Sequence, residues 1–181
     1  MGNDEQMMMD LGVEIEVDED LVRQRHEWAE WIAPQRMESQ IQKFLTETLP
    51  DVHPELSLCP WWEPPLLYRI CDQLPEVFPD TETLVATENQ DAADQLIRFL
   101  GELFVHCAGA GWINIPGNGS VLYDRIGPSL HFAYTDIVVN PVYLAVTVAD
   151  DGLFAVVTGE LAEHVREWTA AGKPPAPGAA A

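Results

Sequence analysis

From Thr87 to Gly111 apolar residues recur at spacings of three and four, through Ala93, Leu96, Ile97, Leu100, Leu103, Phe104 and Cys107. That stripe predicts one long helix lying against a core. Thr87 with Gln90 resembles a capping box, Asp91 and Asp94 suit the positive end of the helix dipole, and Gly109-Ala110-Gly111 terminates the run. Beyond it the period changes. Trp112 to Ile115 and Val121 to Tyr123 flank Gly117-Asn118-Gly119, a turn able to supply positive backbone angles, and predict a hairpin. Leu130, Phe132 and Tyr134, then Ile137 to Val139, read as further strands of a small antiparallel meander.

Helical spacing also marks the residues before 50. Leu21, Trp28, Trp31 and Ile32 share one face, then Met37, Ile41, Phe44, Leu45 and Leu49 another, and Pro34 divides the two because proline lacks the backbone donor. Trp28 and Trp31 are read as core rather than as an exposed binding face, since tryptophans at helical spacing mostly bury. Pro50, Pro54, Pro60, Pro64 and Pro65 exclude regular structure over most of 50–65 and predict an ordered loop anchored by Cys59, Trp61 and Trp62. A short helix opens at Pro64 or Pro65, buries Leu66, Leu67, Ile70, Cys71 and Leu74, and stops near Pro75. Residues 75–87 read as a connection.

Near the C-terminus two signals compete. Asn140-Pro141 supplies a cap and first position for a helix through Ala149, whereas Val142 to Val148 is β-prone and Asp151-Gly152 before Leu153 to Val157 marks a hairpin. The helix is the preferred reading. Glu160 to Trp168 is helical either way. The expected class is therefore α+β: N-terminal helices, a long central helix leading into a small antiparallel β-meander, and a C-terminal helix. Residues 1–19 form an acidic flexible lead, 20–170 a single domain, and 171–181 a disordered Pro/Ala tail. In the lead, Leu11, Val13, Ile15 and Val17 alternate with Glu14, Glu16 and Asp18 at the strand period. They read as an edge strand or disorder, or as an acidic peptide that adds to a partner's sheet.

Of 181 residues 47% are hydrophobic, enough for a core, and 30 acids against 9 bases give a net charge of −21. Such a chain is repelled by nucleic acid and by anionic membranes, while its field attracts basic proteins. Solubility alone is the plainer explanation of the charge. No stretch spans a membrane and no signal peptide is legible, which points to the cytoplasm. Cys59, Cys71 and Cys107 lie in apolar surroundings and are expected to be reduced, buried thiols without a metal. His26, His53, His106, His131 and His164 are scattered one per element, and neighbours such as His106 and Cys107 point apart on a helix. With no nucleophile elbow, phosphate loop or dinucleotide fingerprint, neither catalysis nor a cofactor is expected.

Phe99-Leu100-Gly101-Glu102, Gly111-Trp112 and Asn140-Pro141 resemble small bacterial domains of unknown function related to immunity proteins of toxin systems, over about 80–168. The resemblance implies a helix leading into a meander and brings no catalytic residues. Charge and resemblance together suggest a non-catalytic protein-binding module, an immunity-like inhibitor or regulator of a basic partner. Asp150, Asp151 and Trp112, with Glu14, Glu16 and Asp18 of the lead, are the candidate contacts. The alternatives are a DNA mimic, whose carboxylates stand in for phosphates, and an acidic structural or adaptor subunit.

Overall fold

The computed structural model describes residues 18–49, 52, 59–151 and 154–176, so Glu14 and Glu16 lie outside it. Asp18 opens α1 (Glu19–Trp31) by accepting hydrogen bonds from the backbone N–H of Asp20 and Leu21 at 3.0 and 3.1 Å. α2 (Pro34–Lys43) starts on Pro34, where the missing donor costs nothing, and runs into a π-helical turn, Phe44–Thr48. α3 (Leu66–Val77) continues two residues past Pro75. It thus ends near Pro75 as expected: the proline sits in the last turn, where few helical bonds remain to lose, and Phe78 N–H still reaches the Leu74 carbonyl at 2.8 Å. Residues 75–87 are not a bare connection. Asp80 caps a short α4 (Thr81–Val85), and a 3-10 turn, Thr87–Asn89, follows.

That turn feeds directly into α5 (Gln90–Ala108), which begins with no side-chain cap, so the capping box expected of Thr87 and Gln90 does not form. α5 carries the core. Ala93, Leu96, Ile97, Phe99, Leu100, Leu103, Phe104 and Ala108 are fully buried, and so are Arg98 and Gln95. Helices α1 to α4 supply Trp31, Met37, Ile41, Ile70, Leu74 and Leu84 to the same cluster, and the π-helical turn supplies Phe44 and Leu45. α5 ends at Gly109 with φ of +65°, where Ala110 N–H bonds the Phe104 carbonyl at 3.2 Å.

The expected meander follows as β1 (Gly111–Asn114), β2 (Pro128–Phe132) and β3 (Thr135–Val139), antiparallel and adjacent in that order. Trp112 faces Leu130 and Leu130 faces Val139 across the pairs. Val121 to Tyr123 is not a strand, however. The backbone N–H groups of Leu122 and Tyr123 both turn to the Gly119 carbonyl, at 2.9 and 3.0 Å, and close a turn within the loop joining β1 to β2. Gly117 and Gly119 do adopt the positive angles expected of them.

Over 141–151 and 154–157 the helix prevails. Asn140 Oδ1 accepts from the N–H of Val142 at 2.9 Å and of Tyr143 at 3.3 Å, opening α6 (Pro141–Asp151), whose Val142, Ala145, Val148 and Ala149 bury together. α7 (Phe154–Ala170) closes the fold, and Trp168 Nε1 donates to the Pro174 carbonyl at 2.9 Å. The molecule is α+β, helices around α5 with one small sheet. Among the described residues no helix is long and apolar enough to cross a membrane.

Candidate functional site

An open cleft of about 510 Å³ lies between α2, α5, β1 and the segment before α3. Its apolar walls come from Ile32, Met37, Ile41 and Leu45, and Trp61, Trp62 and Trp112 supply the ring surface. Its polar groups include Glu38 and Glu102, with His106 between the rings, and no lysine or arginine lines it. Clefts of this size and apolarity with a few converging polar groups are where proteins bind ligands.

The side chains are held from α5. Glu102 and His106 sit one turn apart on the same face, and Glu102 Oε2 is 3.6 Å from His106 Nε2. Glu102 Oε1 accepts from Trp112 Nε1 at 2.7 Å, which fixes both the carboxylate and the indole. Trp112 approaches because residue 101 is glycine: a Cβ there would stand 2.0 Å from Trp112 Cη2. The His106 ring stacks on Trp62, centroids 3.9 Å apart and planes within 6°, and Trp61 meets it edge-on. Cys107 donates to the Trp62 carbonyl at 3.9 Å.

Behind the cleft, Asp94 gathers three donors. Oδ1 accepts from Trp31 Nε1 at 2.7 Å and from the Tyr123 hydroxyl at 2.6 Å, and Oδ2 accepts from Arg98 Nε at 2.7 Å. The Arg98 guanidinium lies 4.0 Å over the Trp31 ring and donates to the Trp31 carbonyl at 2.7 Å. Burial, and secondarily the Asp94 charge, holds the Tyr123 hydroxyl well above its ordinary range, so it stays a donor. Trp31 also packs edge-on against Trp112, centroids 5.0 Å apart, and so joins this cluster to the cleft.

No family model, curated protein or solved structure matches the chain.

Among the described residues, Trp112, Asp150 and Asp18 each engage different partners. Trp112 lines the cleft, but it is half-buried and bound to Glu102 rather than presented outward. Asp150 is exposed at the end of α6 and accepts from Thr81 Oγ1, tying α6 to α4. Asp151 is the last residue of α6. Asp18 spends its carboxylate on the α1 cap.

The three cysteines are free but half-buried, not fully enclosed. Burial nevertheless pushes the thiols of Cys71 and Cys107 up, with Asp72 and Glu63 adding to it, and leaves them protonated and unreactive. Among the described residues no set of three histidines, cysteines or carboxylates is placed to hold a metal. The Glu102–His106 pair was missed in the sequence. Its one signal is two polar residues four apart in the otherwise apolar second half of α5.

Proposed function

We propose that this protein is a non-catalytic protein-binding module, an immunity-like inhibitor or regulator, that docks a basic partner at the tryptophan-lined cleft. The cleft's lining carries the reading: tryptophan and aliphatic surface with Glu38 and Glu102 and no lysine or arginine, on a chain of net charge −21. Aromatic anchors in a concave apolar patch supply most of the energy of protein interfaces, and a field of one sign accelerates encounter with a partner of the other. Asp94 and Glu102 turn their carboxylates inward to Trp31, Tyr123, Arg98 and Trp112, which favours such a module over a DNA mimic, whose carboxylates must face outward. The free thiols support a reducing, cytoplasmic setting.

Affinity capture of the tagged chain at low and moderate salt, with and without nuclease, followed by calorimetry on the purified pair, tests this. One basic protein that survives moderate salt and binds directly is the expected result. Recovery of only salt-labile, unrelated basic proteins sinks the proposal. Loss of binding on deleting residues 1–20 would place the contact in the lead instead and favour an adaptor role.

A further inference from the structure

The residues Asp94, Arg98, Glu102 and His106 follow one another at intervals of four along α5 and share one stripe. In the first half of the stripe both carboxylate oxygens are partnered. There a carboxylate, Asp94, accepts both an indole N–H from Trp31 and a guanidinium from Arg98, and that guanidinium stacks over the same indole. The second half begins the same way, with Glu102 accepting the indole N–H of Trp112. Among the described residues its other oxygen meets only His106, at 3.6 Å, and the imidazole is committed face-on to Trp62.

The Glu102 side chain is 15% exposed. A carboxylate drawn that far from water into an apolar cleft is costly unless a cation or further donors reach it. A guanidinium meets both demands of the site, because its planar donors fit a carboxylate edge and its face stacks on tryptophan. Glu38 adds a second negative charge to a lining that holds no lysine or arginine.

We infer that the cleft is a receptor for an arginine side chain presented by the partner, with Glu102 taking the guanidinium and Trp61, Trp62 and Trp112 enclosing its stem and face. This rests on the module reading above and gives it a ligand chemistry. The volume of about 510 Å³ exceeds one side chain, so the residues flanking the arginine enter as well.

The test is an NMR titration of the full chain with a short capped peptide carrying one arginine, and with its citrulline counterpart, which keeps the shape and loses the charge. The reporter is the Trp112 indole N–H, already bonded to Glu102. The arginine peptide is expected to shift the Trp112 and Trp62 indole signals and to bind about tenfold or more tightly than the citrulline peptide. Glu102→Gln, which retains an acceptor for Trp112, is expected to remove that preference. Should Glu102→Gln lose its native spectrum, Trp62→Leu serves instead and is expected to weaken the arginine peptide selectively. Equal binding of the two peptides, shifts confined to other tryptophans, or no response overturns the inference. An arginine response without any basic protein partner leaves the receptor standing and sinks the module reading. A confirmed partner that binds Glu102→Gln unchanged does the reverse.

Discussion

Gly101 sets how closely β1 can approach α5. The Trp112 ring occupies the volume of its absent side chain, and the Trp112–Glu102 bond depends on that seat. Gly101→Ala is expected to lower unfolding free energy by about 2–3 kcal/mol through overpacking, read as a lower urea midpoint at unchanged slope. His164 makes a different kind of prediction. It is buried between the rings of Phe132 and Phe104, with Nδ1 3.2 Å from the Tyr134 hydroxyl. Burial lowers its pKa below 6.5, and the charges of Glu167 and Glu163 only partly oppose this. The unfolded chain therefore takes up the proton first. Stability from this group is complete above about pH 6.5 and declines as pH falls from there toward the lowered folded value. A pH series of urea unfolding is expected to show that decline in the native protein and a flatter curve in His164→Phe. Parallel curves would contradict it.

Among the elements, α6 turns on its cap. Asn140 satisfies two N–H groups at the start of a β-prone sequence, and Asn140→Ala is expected to cost about 1 kcal/mol in urea unfolding, with Asn140→Asp close to native. The element shows why a cap and a buried face can overrule strand propensity: Val142, Ala145, Val148 and Ala149 fall at helical intervals and bury. The period of α5 and its glycine stop were legible because both signals are local. The turn that replaces a strand at 121–123 was not, since Tyr123 is drawn in to Asp94, a tertiary partner 29 positions away. Trp112 was legible as a residue of the first strand. Its place beside Trp61, Trp62 and His106 was not, because that cleft joins segments some forty residues apart, and Glu102 was hidden among abundant carboxylates.

At the scale of the molecule, the chain carries 30 acids against 9 bases. Self-repulsion at this charge weakens the compact state and is screened as the Debye length shrinks from about 30 Å at 0.01 M salt to about 10 Å at 0.1 M. The thermal midpoint is expected to rise over that range, by about 2–4 °C for each 1 kcal/mol recovered. An unchanged or falling midpoint in scanning calorimetry would show that internal ion pairs outweigh the repulsion. The seat of Trp31 has a mechanical consequence as well. Trp31 is the one buried residue of α1, at its last position, while Leu21 and Val22 near the start are exposed. α1 is thus a spar about 20 Å long, stepped at its foot in the Asp94 cluster and held just above it by Trp28 packed against the core and by Arg125 against Glu27 at 3.5 Å. Hydrogen exchange should run fastest in the first two turns of α1 and slow toward Trp28–Trp31, so that the spar can lean while its foot holds still.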